Sequence, residues 1–546
     1  MRKELLERLA QDTTYDIAVV GGGATGLGVA LDAAARGYSV VLLESHDFAK
    51  GTSSRATKLV HGGVRYLAQG NFALVKEALH ERAHLLNNAP HLAQPLPFVM
   101  PSYTWWATPF YGIGLKLYDA LGGKISNQAG LGDTEFLSAA HTAQLMPTLQ
   151  THGLRSGVKY WDGQFDDARL ALALARTAAE KGALLVNYCA VQSLLHEGGK
   201  LVGVVARDVE TQQTINVKAR CVINATGVWV DQLRQQDGQA IGRAVKDMVA
   251  PSQGVHVVVD RSFWPTDHAL LVPKTEDGRV LFAVPWLGKT ILGTTDTPRH
   301  DLAREPTAFA QELEFILREA GKYLTKAPQR SDVKSIWVGL RPLVKPPSDE
   351  GSSTKQLSRE HTVLVSKSGL VTVTGGKWTT YRAMAEDVLA RCMASQLIRT
   401  SEAGITARMP LSGAQPDAQA DTTADANVDA NADAKASSQR VSAAPGLHLY
   451  GSHAAQVQTL PGAGRELGGP GMTGLTEAMV RYAAQSEYAR TVEDVLARRS
   501  RLLFLDARLA SSLADDVSRI LMEEIGQDGD PQAFKILAEQ YTNLPV

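Results

Sequence analysis

The sequence predicts an α/β fold with a parallel βαβ unit near the N-terminus, a mixed or antiparallel sheet in the middle and a helical domain at the C-terminus. Residues 16–20 form a short β-branched run, residues 24–36 a helical pattern rich in alanine and leucine, and residues 39–44 a second apolar run. A strand, a helix and a strand in this order form a crossover between parallel strands. Residues 250–375 alternate short β patterns with turns, and residues 473–513 are strongly helical.

One stretch differs in composition from the rest of the chain. Residues 414–444 consist mainly of Ala, Asp, Asn, Thr, Gln and Ser, with aspartates spaced four residues apart from Asp417 to Asp433. On a helix these like charges would repel along one face, and almost no side chain there is apolar enough to be buried. We therefore predict a disordered linker over 414–444, followed by a separate helical domain over 445–546.

Charge and composition exclude several classes of protein. The chain has 56 basic and 57 acidic residues and a net charge of −1, which gives no reason to expect nucleic-acid binding. Its three cysteines are far apart and form no C-x-x-C pair, so neither a disulfide framework nor a metal or iron–sulfur site is expected. The sequence has no uninterrupted apolar run of about 18 residues and no signal-peptide pattern at its start. We expect a protein on the cytoplasmic side, with contact to a membrane surface still open.

A glycine-rich turn follows the first predicted strand. Gly21, Gly23 and Gly26 match G-x-G-x-x-G, in which the glycines allow a sharp turn, close approach to a pyrophosphate and close packing of helix on strand. The helix N-terminus then offers free N–H groups and the positive end of its dipole to phosphates. Glu44 ends the next strand, where a carboxylate accepts hydrogen bonds from a ribose. This pattern predicts a Rossmann-like, dinucleotide-binding βαβ domain.

Two further segments indicate FAD rather than NAD. Residues 222–227, which include Ala225 and Gly227, resemble the second glycine-bearing strand end of FAD-binding oxidoreductases. The basic segment 52–58 resembles the additional cofactor loop of the same proteins. A nicotinamide-dependent dehydrogenase needs neither segment.

Several motifs resemble those of the FAD-dependent glycerol-3-phosphate dehydrogenases. These are residues 52–67 (TSSRATKLVHGGVRYL), 286–296 ending in GTTD, 339–343 (GLRPL) and 375–382 (GGKWTTYR). Residues 487–501 resemble the helical C-terminal domain of that family, and the similarity runs over about 15–395 and 445–525. The Asp-rich linker departs from the family's pattern.

The resemblance implies a division of the chain and an activity. It implies an FAD-dependent oxidoreductase region over 14–395, with FAD-binding parts at about 14–80, 150–250 and 365–395 and substrate-binding parts at about 81–149 and 251–364. It implies oxidation of sn-glycerol 3-phosphate to dihydroxyacetone phosphate by hydride transfer to flavin, with a membrane quinone as electron acceptor. The implied protein is peripheral on the cytoplasmic face of the inner membrane, with a homodimer as a possible assembly.

Candidate site residues follow from this chemistry and from the resemblance. A phosphate dianion is best bound by guanidinium groups and a lysine, which points to Arg341, Arg359 and Lys377, and Arg65 completes the predicted substrate-binding set. The resemblance implies a cofactor-binding set that consists of Gly21, Gly23, Gly26, Glu44, Thr52, Ser53, Ser54, Lys58, Ala225, Gly227, Gly376 and Thr379.

The catalytic set contains Arg341 and two histidines. A base that titrates near neutrality favours histidine. His256 lies in an otherwise apolar strand, where the family has a substrate-site histidine, and His61 follows the cofactor loop. The choice of base between them stays open at this point. Asp296 is predicted to orient other groups, because a carboxylate beside the substrate phosphate would repel it.

Alternatives remain for the acceptor and the substrate. An oxygen-using glycerol-3-phosphate oxidase and an amino-acid or amine oxidase share the predicted fold, and a flavin-binding module without catalysis is a third possibility. Residues 103–118 carry paired tryptophans, other aromatics and Lys116. This segment suits a membrane interface, but it equally suits a domain core or the substrate entrance.

Overall fold

The fold was analysed in a computed structural model that describes residues 2–63, 71–276, 278–345, 360–414 and 440–546. The strands in these ranges are β1 (Thr14–Val20), β2 (Val40–Leu43), β3 (Leu59–Val60), β4 (Ala93–Ser102), β5 (Glu135–Ser138), β6 (Ser156–Phe165), β7 (Leu184–Val186), β8 (Cys189–Glu197), β9 (Lys200–Asp208), β10 (Thr214–Asn224), β11 (Val249–Asp260), β12 (Ala269–Val272), β13 (Leu281–Trp286), β14 (Lys289–Gly293), β15 (Thr297–Pro298), β16 (Ser335–Val344), β17 (His361–Val365) and β18 (Val371–Gly375).

The helices cover the sheets and build the C-terminal region. They are α1 (Arg2–Leu9), α2 (Ala24–Ala35), α3 (Phe72–Asn88), α4 (Ala107–Gln128), α5 (Ala139–Leu145), α6 (Asp167–Glu180), α7 (Val230–Ala240), α8 (Ala310–Tyr323), α9 (Tyr381–Ala394), α10 (Ala454–Gln458), α11 (Glu477–Ser486), α12 (Leu502–Leu505), α13 (Ala507–Ser512), α14 (Ala514–Ile525) and α15 (Pro531–Thr542). A π-helix, Asp494–Arg499, precedes α12.

The first sheet is built around the predicted βαβ unit. Its order is β17-β18-β10-β1-β2-β7, and β1 is parallel to both β2 and β10. All four residues of β2 are buried, since the strand is covered on both faces, as is usual for parallel strands. Hairpin β8–β9 extends the sheet by pairing antiparallel with β10. The carboxyl ends of β1, β2 and β10 therefore meet at one edge, where a ligand binds in folds of this type.

The second sheet confirms the prediction of a mixed architecture. Its order is β15-β11-β14-β13-β12-β4-β6-β3, in which β12 and β4 are parallel and their neighbours are antiparallel. Strand β16 runs antiparallel to β11 over ten residue pairs from Val249 to Val258. The long β11–β16 ladder carries side chains of both strands on one face, and this face becomes the floor of the substrate cavity.

The C-terminal helices share a core with the second sheet. One hydrophobic cluster joins Trp286 and Trp337 of that sheet to Phe504, Leu521 and Tyr541 of the helical region. The predicted helical domain is thus present, and its apolar face packs directly on the sheet that forms the substrate cavity.

The segment assigned to the linker can be described only at its ends. Residues 415–439 lie outside the described residues. Val441 is buried and its carbonyl accepts a hydrogen bond from the N–H of Leu287, while Ser442 accepts one from the N–H of Gly288. The last residues assigned to the linker are therefore ordered against the turn between β13 and β14, because Val441 supplies an apolar side chain there.

Candidate active site

A first cavity of about 260 Å³ opens where β1 meets α2. Gly21 has a φ of 110°, and a Cβ there would lie 2.6 Å from the carbonyl oxygen of Ala225, so only glycine fits. Gly23 precedes α2 without a side-chain cap, which leaves the helix N-terminus facing the cavity. A Cβ on Gly26 would meet the carbonyl oxygen of Gly21, so Gly26 serves close helix–strand packing rather than ligand contact. These features form a cradle for a pyrophosphate.

Glu44 fixes the other side of this cavity. Its carboxylate accepts hydrogen bonds from the N–H groups of Gly22 at 2.6 Å and His46 at 2.9 Å. The carboxylate therefore stands at the carboxyl end of β2 in a fixed orientation, where a ribose would meet it. Ala225 and Gly227, at the end of β10, line the same cavity.

The loop after β2 closes the cradle. Ser53 Oγ accepts a hydrogen bond from the N–H of Ala24 at 2.9 Å, and its carbonyl accepts one from Trp378 Nε1 at 2.9 Å. Thr52 lines both this cavity and the larger one described below. The cradle, the ribose carboxylate and the loop together fit FAD, which needs all three.

The structure does not bring Lys58 and Ser54 to the cofactor cavity. Lys58 is fully buried, and its Nζ donates to Asp167 Oδ2 and to the carbonyl of Ser54, each at 2.7 Å. The same ammonium lies 5.2 Å from the ring centre of Trp286. Neither residue lines either cavity. The Lys58 ammonium is buried and must stay beside the buried carboxylate of Asp167, because a buried charge needs a partner. Both residues hold the back of the cofactor loop.

The larger cavity, of about 1240 Å³, brings the predicted substrate site together. The predicted residues that line it are Thr52, His61, His256, Arg341, Gly376, Lys377 and Thr379. Gly376 and Lys377 also line the cofactor cavity, so the two spaces meet at the end of β18. A flavin ring that extended from the first cavity would enter the second at this junction. Arg65 and Arg359 lie outside the described residues.

Strands β11 and β16 build the floor of the substrate cavity. Their register pairs Ser252 with Arg341, Gly254 with Gly339, and His256 with Trp337, and these pairs share one face because strand side chains alternate. The two glycines let neighbouring groups pack directly on the strands, with the Arg341 guanidinium over Gly254 and the Arg55 backbone over Gly339. A Cβ on Gly254 would overlap the Arg341 guanidinium, with its Cζ only 2.8 Å away.

Arg341 is oriented by groups of the strand β14 end. Its Nη2 donates to the carbonyl of Thr295 at 3.0 Å and to Thr294 Oγ1 at 3.3 Å, and its Nη1 lies 3.5 Å from Asp296 Oδ1. The Asp296 carboxylate also accepts a hydrogen bond from Ser252. Asp296 thus has the orienting position expected for it, and the Arg341 side chain keeps a quarter of its surface exposed to the cavity.

His256 is buried at the other end of this floor. Its Nε2 lies 3.0 Å from Thr57 Oγ1, and its ring stacks on Trp337 with 5.3 Å between ring centres. In the described part of the chain, its Nδ1 has no hydrogen-bond partner. Burial, together with the cations Arg341 and Lys58, holds the pKa of His256 well below its ordinary value. The ring is therefore neutral at pH 7, and it has a lone pair that can accept a proton.

Comparison with known proteins agrees with this geometry. The family model described as "FAD dependent oxidoreductase" matches residues 16–382, and that of the "C-terminal domain of alpha-glycerophosphate oxidase" matches residues 404–532. The chain is 40% identical to a probable mitochondrial glycerol-3-phosphate dehydrogenase of Caenorhabditis elegans, over 98% of this chain and 74% of that protein. The human mitochondrial enzyme is 39% identical over 96% of this chain and 73% of its own length. The chain belongs to the FAD-dependent glycerol-3-phosphate dehydrogenases.

A solved structure extends the likeness over the whole dehydrogenase. The glycerol-3-phosphate dehydrogenase of Bacillus halodurans, complexed with FAD, has a TM-score of 0.75 and 30% identity, and the match covers 99% of this chain and 98% of that one. The L-α-glycerophosphate oxidase of Mycoplasma pneumoniae is 18% identical with a TM-score of 0.55, over 72% of this chain and 96% of that one, and shares the fold alone. FAD is therefore the cofactor of this family member, and the fold class is confirmed.

Sequence reasoning missed the ion pairs that connect the cofactor loop to the C-terminal region of the dehydrogenase. Asp47, three residues after Glu44, is fully buried and binds Arg498 and Arg499. Arg501 donates to the carbonyl of Ser54 at 2.8 Å. The clustered arginines were visible in the sequence, but no local signal identified partners more than 440 residues away.

The described residues were also searched for two other features. None of their helices is long and apolar enough to cross a membrane. Within the same ranges, no group of three or more His, Cys, Asp or Glu side chains is placed to hold a metal ion.

Proposed function

We propose that the chain oxidises the secondary hydroxyl of sn-glycerol 3-phosphate to the ketone of dihydroxyacetone phosphate and passes the electrons to a membrane quinone. The observation that carries this proposal is the β11–β16 floor, where a cation and a neutral histidine face one cavity across a pair of glycines. The bound FAD supplies the hydride acceptor. The chain's own residues bind the phosphate, orient the alcohol and take its proton.

Arg341 and Lys377 are the proposed phosphate ligands in the described residues. Both line the substrate cavity, and a guanidinium with an ammonium is the donor set that a phosphate dianion favours. Asp296 keeps Arg341 oriented from its far side. Arg65 and Arg359 stay proposed ligands on the resemblance of their motifs.

His256 is the proposed base, because its ring lines the substrate cavity and is neutral at pH 7, with Thr57 Oγ1 3.0 Å from Nε2 to hold its orientation. FAD would supply the acceptor for the hydride of C2, and His256 would take the hydroxyl proton as the C=O bond forms. Burial is the largest cause of the low pKa of His256, and a phosphate dianion bound at Arg341 would offset only the smaller contribution of the nearby cations. His61 is proposed to position the substrate or flavin.

Membrane contact is proposed at the exposed aromatic patch, which consists of Trp105, Trp106 and the α4 residues Phe110, Ile113 and Leu117. Trp105 is 77% exposed, Ile113 69% and Phe110 64%, an unusual degree of exposure for large apolar side chains. Phe110 and Leu117 also line the mouth of the substrate cavity. The patch would lie in the interface on the cytoplasmic face of the inner membrane, where a quinone could reach the cavity through an apolar mouth. A homodimer stays a prediction of the family resemblance.

Substrate and acceptor are tested with the purified holoenzyme. Glycerol 3-phosphate should reduce a quinone-analogue dye, with little peroxide formed in air. Peroxide formation equal to substrate consumption would indicate an oxidase instead. Dye reduction with an amino acid but not with glycerol 3-phosphate would overturn the proposed substrate.

The membrane proposal has its own test in flotation with anionic liposomes. Replacing Trp105, Phe110 and Ile113 by serine should remove most binding, while replacing the exposed Ile405 and Ile536 of other surfaces should not. Equal binding by both variants would contradict the patch.

A further inference from the structure

A segment of the substrate region lies across the cofactor cavity. Residues 299–309, here called the strap, connect β15 to α8. The carbonyl of Leu302 in the strap accepts a hydrogen bond from Trp229 Nε1 at 3.1 Å. Trp229 lines the cofactor cavity, and so does Arg304, two residues further along the strap. The strap therefore contributes to the wall of the cofactor cavity from outside the βαβ unit.

Arg304 is a cation in this cavity without an anion of its own. Its guanidinium stacks over the ring of Trp229, 3.8 Å from the ring centre. Among the described residues, none accepts a hydrogen bond from this guanidinium or forms an ion pair with it. Glu44 and Arg304 line the same cavity. Burial lowers the pKa of Arg304, and the charge of Glu44 partly opposes this.

The next residue anchors the strap in the interior. Both carboxylate oxygens of Glu305 lie 2.7 Å from Arg55 Nη2. Lys50 Nζ is 2.8 Å from the same carboxylate and 2.5 Å from Glu493, and Tyr541 of α15 donates a further hydrogen bond to Glu305 at 3.1 Å. This anchoring fixes the backbone that carries Arg304, and it leaves Lys50 already neutralised by two carboxylates.

We propose that Arg304 is a cofactor-binding residue that pairs with the pyrophosphate of FAD, and that the strap closes the cavity over the bound cofactor. Each phosphate of the pyrophosphate carries a negative charge, whereas the N-terminus of α2 supplies only about half a positive charge. Of the other cations that line this cavity, Lys50 is already paired and Lys377 lies at the junction with the substrate cavity, where it is a proposed ligand of the substrate phosphate, so Arg304 can supply the difference. The proposal rests on FAD binding and is independent of the proposed substrate and acceptor.

The test measures release of FAD from the purified holoenzyme, followed by the rise in flavin fluorescence after dilution without substrate. Arg304→Gln removes the charge but keeps a polar side chain that can donate hydrogen bonds, and it should release FAD about tenfold faster. Arg304→Lys keeps the charge and should stay within about threefold of the wild type. The control is Arg318→Gln, an exposed arginine of α8 whose loss should leave release unchanged.

The dependence of FAD release on salt concentration is a second measurement, which can be made on the wild type and on Arg304→Lys alone. Raising KCl should speed FAD release from the wild type and from Arg304→Lys, because an exposed charge pair is screened. Equal release rates for the wild type and Arg304→Gln would overturn the proposal. So would equally fast release from the Lys and Gln variants, or release from the wild type that does not respond to salt. None of these outcomes depends on turnover of glycerol 3-phosphate.

Discussion

Asp47→Asn should break the ion pairs between the loop after β2 and the C-terminal region, and it should lower the free energy of unfolding by several kcal/mol. The Asp47 carboxylate is fully buried and binds Arg498 and Arg499, with Arg499 Nη2 at 2.9 Å. Arg499 and Arg498 outweigh the effect of burial and keep the pKa of Asp47 below its ordinary value, so the group is ionised at pH 7. The substitution removes the charge and preserves the shape.

The expected decrease in the free energy of unfolding depends on which carboxylates remain close to Arg498 and Arg499 after the substitution. Arg498 keeps Glu493 at 2.6 Å and Asp494 at 2.7 Å, whereas Arg499 has no second carboxylate at ion-pair distance in the described chain. Removing one partner of a buried ion pair costs about 3–5 kcal/mol, and the surviving partners of Arg498 favour the lower end, about 3 kcal/mol. The Asn variant should also lose FAD more readily, since Ala49, two residues after Asp47, donates its N–H to the carbonyl of Gly22 in the glycine turn.

Equilibrium urea unfolding in excess FAD, followed by flavin fluorescence and far-UV circular dichroism, measures both effects. Asp12→Asn is the control, because Asp12 pairs with Lys218 on the surface and its loss should change neither signal. A decrease in the free energy of unfolding below about 1 kcal/mol for Asp47→Asn would refute the reasoning, because leaving a guanidinium buried without its carboxylate costs more than that.

Three further predictions concern the substrate floor and a buried interface. Gly254→Ala should raise the KM for glycerol 3-phosphate about tenfold or more, because the added Cβ displaces Arg341. The control is Gly464→Ala, where the added Cβ meets open space and the KM should not change. Steady-state kinetics with both variants tests this. His256→Asn should lower kcat about 10²–10⁴-fold with FAD content unchanged, because the side chain that accepts the hydroxyl proton is gone; steady-state kinetics and the flavin absorbance of the purified variant test this. Burial, with Arg169 and His453, lowers the pKa of His91 to about 3, so its contribution to stability is complete above pH 6.5 and is lost as pH falls towards 3, by up to about 1.4 kcal/mol per pH unit. Urea unfolding at pH 7 and pH 5 should therefore show a smaller acid loss in His91→Asn, and an unchanged loss would contradict this assignment.

The cofactor half of the site was predictable because its determinants are close in sequence. Gly21, Gly23 and Glu44 lie within one βαβ unit, where strand, turn and helix follow from local patterns. The substrate half depends on the pairing of β11 with β16, which places Arg341 opposite Ser252 and four residue pairs away from His256. No local pattern specifies that register, and the two residues were predicted from residue type together with the motifs of the family rather than from their position in the fold.

Charged residues in the loops show where sequence reasoning fails. Lys58 sits in a polar loop and resembles a phosphate ligand, yet its ammonium lies against Asp167 and three aromatic rings in the interior. Arg304 lies in a segment without regular periodicity, so nothing in the sequence distinguished it from a surface arginine. In both cases the partner that decides the role is more than 70 residues away, in Asp167 and Trp229 respectively.

Anaerobic titration of the flavin with glycerol 3-phosphate tests the central claim most directly. The wild-type flavin absorbance should bleach as the substrate is added, which shows reduction without any external acceptor. Arg341→Ala should need about 30- to 100-fold more substrate for half-bleaching, because a charge-assisted hydrogen-bonding group to the phosphate is gone. Its flavin content should match that of the wild type, since Arg341 lines the substrate cavity and not the cofactor cavity. Bleaching of Arg341→Ala at the wild-type substrate concentration would contradict the proposed phosphate site.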